Sequence, residues 1–468
     1  MTTIPDDPGA RARFRPARRA APLADPGLVG RVLRGSAFVI LGYGASQAIR
    51  LASNLILTRL LFPEAFGLMA LVTVAMIGLG AFSDVGVGPA IAHSRRGDDP
   101  AFLHAAYTLQ VGRGFALWIG ACLVAWPVAA FYGEPALARL LPAVGFCSVI
   151  TGFNSVAVET AHRHLLLGRV TLIELASQAA GTIAMVILAF ATRSIWALVL
   201  GGAAASAAKL ALSHLCLPGP PNRLGWEPAA RRELVRFGRW IFLSTLCGFL
   251  LSQGDKLILG KYLPLELLGI YNIGFFLASF PLLLGKALTE RMVIPLYREH
   301  PPARSARNFA RLRRMRAILT GGILALLALM AFSGVWLVDL LYDARFATAG
   351  PIVVLIAVAQ MPQAIGLTYD LAALAAGESR RFFLQMAPRA LAQAALLLLG
   401  AASFGLPGAL GGQALAAVLT YPLIVRLARR YGAWDAAHDA GFAALGLLLG
   451  GLALWARWPE VAGLASLG

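Results

Sequence analysis

The sequence predicts an all-α polytopic membrane protein, and both its composition and its long apolar runs point to this fold class. Ala, Val, Ile, Leu, Met, Phe, Trp, Tyr and Cys account for 58% of the 468 residues, and charged residues account for 14%. A soluble protein carries about 25% charged residues, so this chain has too few charges to cover soluble domains. The composition excludes a soluble enzyme, a disordered chain and a disulfide scaffold.

The apolar runs have the length of membrane-spanning helices, because about 20 apolar residues cross the hydrocarbon core of a bilayer as a helix. Thirteen runs qualify: 35–61, 67–93, 102–130, 138–161, 170–191, 195–216, 240–262, 269–296, 317–341, 350–376, 383–405, 407–428 and 436–456. Short breaks such as Phe62-Pro63-Glu64 and Gly405-Leu406-Pro407-Gly408 separate neighbouring spans.

Basic residues indicate the orientation in the membrane. The formal net charge is +18, with 37 Arg and four Lys. In a membrane protein such an excess is typical of cytoplasmic loops, so no nucleic-acid partner is predicted. With a cytoplasmic N-terminus, the cytoplasmic segments contain 28 basic residues and the opposite side contains five. We therefore expect a cytoplasmic N-terminus, with residues 1–30 as a disordered basic tail against anionic membrane lipids.

An internal repeat predicts the domain organisation. Segments 59–67 and 261–269 both follow the pattern basic-x-Leu-x-x-Glu-x-x-Gly, 202 residues apart. Six spans separate the two copies, so each landmark returns to the same side of the membrane, as in a parallel repeat. We expect two six-helix lobes related by pseudo-two-fold symmetry along the membrane normal. They are the N-lobe 31–216 and the C-lobe 240–428, with a cytoplasmic linker at 217–239 and one extra C-terminal span at 436–456.

Charged residues inside the spans are the candidate binding groups, because a charge at membrane depth is costly and normally faces protein or water. The candidate substrate-binding cations are Arg50, Arg113, Lys209, Lys256, Lys286, Arg291 and Arg389. The acids at similar depth are Asp84, Asp255, Glu290 and Asp370, which leaves an excess of three positive charges. A common cavity lined by these groups would favour an anion. Ion pairs between helices are the alternative role for each residue taken singly.

Of these acids, Asp84, Asp255 and Asp370 are the candidate carriers of a coupling proton or sodium ion. The chain has no GxxxxGK[ST] phosphate loop, and His162-Arg163-His164 lacks the Cys or carboxylate cluster of a metal site. No Ser/His/Asp set suited to hydrolysis stands out. We therefore predict no catalytic residues, no cofactor and no metal.

Two stretches of the sequence resemble a known family. Segment 58–68, TRLLFPEAFGL, followed by 82–88, FSDVGVG, is similar to the opening of the polysaccharide transporters, or oligosaccharide flippases, of the MATE-like exporter superfamily. Segment 254–261, GDKLILGK, is similar to the seventh helix of the same family. The resemblance implies a MATE-like core of twelve helices in two lobes that works by alternating access.

The resemblance also implies a cargo: an oligosaccharide repeat unit on polyprenyl pyrophosphate, carried across the bacterial inner membrane for O-antigen, capsule or exopolysaccharide assembly. Polysaccharide polymerases are the implied partners. A pyrophosphate would account for a positive cavity, since the planar guanidinium binds two phosphate oxygens at once. A MATE-type drug/cation antiporter is the alternative, although its cavity should be acidic and aromatic. A membrane-embedded glycan polymerase or ligase would need a large periplasmic loop, and the outside loops here are short.

Overall fold

The computed structural model describes residues 28–83, 91, 94, 96–164, 166–219, 222–225, 227–370, 372–376 and 378–466. The first half contains α1 (Leu28–Leu60), α2 (Pro63–Phe82), α3 (Pro100–Tyr132), α4 (Leu137–Gly152), α5 (Ala157–Arg163), α6 (Leu167–Thr192) and α7 (Trp196–Leu215). The second half contains α8 (Pro228–Tyr262), α9 (Leu265–Ala278), α10 (Phe280–Glu299), α11 (Ala306–Leu341), α12 (Ala349–Gly366), α13 (Ala372–Ala375), α14 (Ser379–Arg430), α15 (Ala436–Ala456) and α16 (Trp458–Ala462).

The predicted fold class is confirmed. Within the part of the chain that the structure describes, eight helices are long and apolar enough to cross a membrane, or ten if each of two bent helix pairs is one span. Every predicted run coincides with helix for much of its length, and α14 contains two of them. The predicted tail at 1–30 falls outside the described residues except for 28–30, which begin α1.

Three predicted spans are not straight helices. The span at 138–161 is α4 and α5, bent by 63° around Asn154, and the span at 269–296 is α9 and α10, bent by 46° before Pro281. The span at 350–376 leaves helix after Gly366. Broken helices are tolerated at membrane depth only where other groups satisfy the freed backbone. At the first bend, the Gln110 side chain donates to the carbonyl oxygens of Gly152 and Asn154.

The predicted break at 405–408 is a sharp kink inside α14. Gly405 adopts a φ of +59°, in the left-handed region that favours glycine. The two arms then run antiparallel in close contact: a Cβ on Gly400 would overlap the carbonyl of Gly408, and one on Gly412 would overlap the carbonyl of Leu396. Glycine at these positions therefore lets the two spans of α14 pack backbone against backbone.

The same neighbour relations recur in both halves. Helix α1 packs on α6 and α3 packs on α4, while α8 packs on α14 and α11 packs on α12. Under the 202-residue offset of the sequence repeat, the two contacts in the second half correspond to the two in the first. Helix α15 packs on α11 and α12, so the extra C-terminal span joins the second half.

The halves meet along α2 and α9 and at the ends of α1, α3 and α8. Helices α2 and α9 form the largest contact between the halves. The Arg345 guanidinium donates to the carbonyl of Thr58 over 2.9 Å, and the Lys261 ammonium donates to the carbonyl of Phe131 over 2.6 Å. Each of these cations caps the C-terminal carbonyls of a helix in the opposite half, where the helix dipole is negative.

Candidate functional site: a polar cavity between the halves

A cavity of about 620 Å³ lies between the two halves. It is lined by residues of α1, α2, α6 and α7 on one side and of α8, α9, α10, α12 and α14 on the other. Its walls are mostly apolar with polar side chains at intervals, which is the usual make-up of a ligand pocket. The predicted site residues that line it are Arg50, Asp255, Lys256 and Lys286.

Arg50 and Lys286 are the two cavity cations that have no ion pair or hydrogen bond with any described side chain or backbone group. Arg50 projects from α1 and Lys286 from α10, so they belong to opposite halves. Both side chains are exposed to the cavity. An unpaired cation in a membrane-embedded cavity is costly without a counter-ion, so this pair makes the cavity attractive to an anion.

Lys256 and Asp255 line the same cavity but are already engaged. The Lys256 ammonium lies 3.7 Å from the Asp255 carboxylate and 3.7 Å from the centre of the Phe275 ring. The Tyr271 hydroxyl donates to the same carboxylate over 2.6 Å. Both charged residues are more than nine-tenths buried. Their pairing satisfies two of the charges that the sequence placed in the cavity, and it rigidifies the wall formed by α8 and α9.

A second pocket of about 240 Å³ opens beside the cavity inside the second half. Lys286 lines both spaces, so they are adjacent at its side chain. The pocket also contains Asp370 and Arg389, whose carboxylate and guanidinium are 2.6 Å apart. The sequence predicted these two residues as separate site groups, and the structure brings them together as one ion pair.

The remaining predicted residues lie elsewhere. Arg113 donates to the Ser83 hydroxyl and to the carbonyl of Gly80, and so caps the C-terminal end of α2. Lys209 lies 3.6 Å from Glu174, across the contact between α6 and α7. Neither is among the residues lining the two spaces. Arg291 lies on α10 with its side chain outside the described residues, and Asp84 is outside them altogether.

Eight amide side chains that were not among the sequence-predicted site residues also line the cavity. They are Gln47, Asn54, Gln178, Gln253, Asn272, Gln360, Gln363 and Gln413. An amide presents both donors and an acceptor, so it suits a ligand rich in hydroxyl groups. Gln360 is 2% exposed, its amide nitrogen donates to Ser279, and its Oε1 has no partner among the described atoms. The sequence does carry a signal for them, since these uncharged polar residues interrupt apolar spans.

Metal binding has no candidate in the residues that the structure describes, since nowhere do three His, Cys, Asp or Glu side chains gather in the way a metal ion requires. What the cavity offers is two free cations, many amides and apolar walls. This arrangement suits a ligand that combines an anionic group with hydroxyl groups.

Solved structures support the fold. The chain matches the lipid II flippase MurJ in an inward closed conformation with a TM-score of 0.66 at 12% identity, over 88% of this chain and 92% of MurJ. It matches a multidrug resistance MATE family transporter of the MOP superfamily in an inward-facing conformation with a TM-score of 0.59 at 14% identity, over 82% of this chain and 96% of that one. These likenesses establish a MATE-like fold, as predicted.

Sequence comparisons identify the family. The lipopolysaccharide biosynthesis protein WzxC of Escherichia coli (strain K12) is 22% identical over 70% of this chain and 65% of WzxC. The succinoglycan biosynthesis transport protein ExoT of Rhizobium meliloti (strain 1021) is 21% identical over 70% of this chain and 66% of ExoT. The chain thus spans just under two thirds of these curated relatives. Residues 56–351, well over half of the chain, match the family model described as polysaccharide biosynthesis protein, and the chain belongs to that family.

Proposed function

We propose that this protein flips polyprenyl-pyrophosphate-linked oligosaccharide repeat units across the bacterial inner membrane, for assembly of a surface or secreted polysaccharide. It acts as a transporter rather than an enzyme. The observation that carries the proposal is that Arg50 and Lys286, from opposite halves, both line the central cavity, each without a partner among the described groups. Names of relatives in lipopolysaccharide, succinoglycan and amylovoran biosynthesis support the same class of cargo.

The proposed binding mode divides the cargo by its chemistry. Arg50 and Lys286 hold the pyrophosphate from opposite halves, and the cavity amides face the hydroxyl groups of the glycan. The prenyl tail stays in the lipid beside the cavity. Charge-assisted hydrogen bonds to phosphate are about twice as strong as neutral ones, so the pyrophosphate dominates the affinity.

The proposed mechanism is alternating access between the two halves. In the predicted orientation, the contacts of Arg345 and Lys261 with helix ends of the opposite half lie on the extracytoplasmic side. This closure is consistent with a state that loads cargo from the cytoplasm. Release to the periplasm requires those contacts to break and the halves to rock about the cavity.

Ion coupling is a further part of the proposal, with Asp84, Asp255 and Asp370 as the candidate carriers. Asp255 and Asp370 already contact Lys256 and Arg389, so a coupling ion bound at either carboxylate would compete with that contact. Collapsing the proton and sodium gradients separately, while measuring glycan delivery to the periplasm, tests the coupling. A rate of glycan delivery that stays unchanged when either gradient is collapsed contradicts ion coupling.

The direct test of the site uses inorganic pyrophosphate and the purified protein. Arg50→Ala and Lys286→Ala should each weaken pyrophosphate binding in calorimetry by ~10-fold or more, since a hydrogen bond to a charged group contributes about 1.5–3 kcal/mol. Both variants should also block surface polysaccharide in cells while protein levels stay normal. Arg314→Ala, an exposed arginine on α11, is the matched control. Unchanged pyrophosphate affinity in both cavity variants contradicts the proposal.

A further inference from the structure

The side pocket in the second half is built differently from the central cavity. It is lined by residues of α8, α10, α12 and α14, and it shares Lys286, Ser252 and Gln363 with the lining of the cavity. Phe382 and Met386 supply apolar surface to the same lining. A pocket adjacent to the cargo cavity is placed to receive one part of the cargo while the rest stays in the cavity.

Asp370 presents a free acceptor to this pocket. Its Oδ1 accepts from the Arg389 guanidinium over 2.6 Å and from the Gln385 amide over 3.2 Å. Its Oδ2 receives no hydrogen bond from any described group, and the side chain is 23% exposed. One carboxylate oxygen is thus fixed by the protein, and the other is available to hydroxyl donors of a ligand.

Thr289 supplies a second unsatisfied polar group. The residue lines the pocket, is 1% exposed, and its Oγ1 has no hydrogen-bond partner in the described structure. A buried hydroxyl left without a partner costs about 1–3 kcal/mol, so natural proteins normally satisfy it. A ligand hydroxyl that came within hydrogen-bond distance of Oγ1 would remove this cost.

The formal charges of the pocket lining sum to zero. Arg389 is paired with Asp370, and Glu290 offsets the formal charge of Lys286, whose ammonium has no ion pair with a described group and also lines the central cavity. The free Asp370 oxygen would repel an anion, and the Arg389 guanidinium, which neutralises Asp370, would repel a cation. The preferred ligand is therefore uncharged, with hydroxyl groups for Asp370 and Thr289 and an apolar face for Phe382. A neutral sugar ring has both properties.

We propose that this pocket is a subsite for one uncharged sugar of the cargo glycan, whose hydroxyl donates to Asp370 Oδ2. This inference rests on the proposed function, because it assumes that the glycan enters the central cavity. It makes Asp370 a specificity-determining residue. Arg50 and Lys286 bind the pyrophosphate end, and the Asp370–Arg389 pair binds the neutral sugar and discriminates it from a charged one.

The test is saturation-transfer NMR on the purified full chain in nanodiscs, with a panel of neutral methyl hexosides and with glucuronate as the acidic probe. The native protein should give a saturable signal for at least one neutral hexoside and a weaker one for glucuronate.

Asp370→Asn leaves Arg389 without its carboxylate, so the ratio of neutral to acidic sugar binding should fall by ~10-fold. Thr289→Val should weaken the neutral sugar several-fold. Asp339→Asn, an exposed carboxylate that lines neither space, is the control and should leave the ratio unchanged.

The outcomes separate this inference from the proposed function. If the native protein binds pyrophosphate but no neutral hexoside, the subsite is wrong and the proposed function stands. An unchanged neutral-to-acidic ratio in Asp370→Asn also overturns the subsite. So does a result in which Asp370→Asn alters the sodium dependence of transport but leaves sugar binding unchanged. Loss of pyrophosphate binding only in Arg50→Ala and Lys286→Ala, together with the altered ratio in Asp370→Asn, supports both.

Discussion

Gly67 and Gly269 lie against each other where α2 crosses α9. A Cβ on Gly67 would overlap the carbonyl oxygen of Leu265, and a Cβ on Gly269 would overlap the carbonyl oxygen of Pro63. Each glycine thus meets the residue four positions before the other, and the two glycines are the 202-residue repeat partners of the sequence. A twofold axis between α2 and α9 gives contacts of this reciprocal form.

This close crossing leads to the first prediction. Gly67→Ala should lower the thermal stability of the purified protein, because a methyl group forced into a backbone carbonyl costs about 1–3 kcal/mol in a packed interior. Gly80→Ala on the same helix is the control, since a Cβ there meets nothing within 4 Å. Removing a helical glycine by itself stabilises a helix by up to about 1 kcal/mol. Equal melting temperatures for the two variants would contradict the tight crossing.

The second prediction concerns pH and the Arg345 contact with α1. Hydrogen bonding from Arg345 holds the pKa of Asp343 below its ordinary value, while Arg345 also donates to the carbonyl of Thr58. A lowered folded pKa contributes stability that is present above the unfolded Asp pKa, about 3.9, and is lost as pH falls through the folded value. The difference in melting temperature between the native protein and Asp343→Asn should therefore be constant from about pH 5, one unit above that reference, to about pH 8, and it should shrink as the pH falls below about 4. A constant difference for Asp343→Asn down to about pH 3, one unit below that reference, would refute the linkage.

The third prediction concerns a buried network that fastens α15 to the second half. Arg316 is 1% exposed and donates to Asp439 over 3.1 Å, and the Tyr369 and Tyr421 hydroxyls donate to the same carboxylate. Arg316→Met should destabilise the protein by about 3–5 kcal/mol, because Asp439 is left buried without its cation. Arg314→Met, on the exposed face of α11, should change stability by less than about 0.5 kcal/mol.

A double variant sharpens this test. In Arg316→Met with Asp439→Leu both charges are absent, so part of the lost stability should return. Limited proteolysis of the loop before α15 would report whether that helix detaches in the single variant. If Arg316→Met unfolds like Arg314→Met, α15 is held by apolar packing and not by this network.

The fourth prediction separates packing cations from cargo cations. Arg113 caps the end of α2 through Gly80 and Ser83, so Arg113→Met should cost about 1 kcal/mol of stability, the usual net value of a hydrogen bond. Its affinity for inorganic pyrophosphate should equal that of the native protein. A loss of pyrophosphate affinity comparable to that of Arg50→Ala would show that Arg113 belongs to the binding site.

The fold class, the positions of the helices and the repeat were all available in the sequence. Apolar runs of span length need no tertiary information, because a helix is the way a single chain segment satisfies its backbone in lipid. The breaks at Pro63 and Gly405 were predictable for the same local reason, since proline favours a helix start and glycine a left-handed kink. The bend around Asn154 was not, because it depends on Gln110 from another helix.

The division of the charged residues into cargo groups and packing groups was decided only by the tertiary structure. Arg50 and Arg113 look alike in the sequence, as basic residues within apolar runs, yet one faces a cavity and the other caps a helix. Asp370, in the turn that follows α12, and Arg389 of α14 form an ion pair only because the tertiary structure brings the two segments together. Hydropathy follows from each segment's own composition, whereas the partner of a charge depends on which distant segment lies beside it.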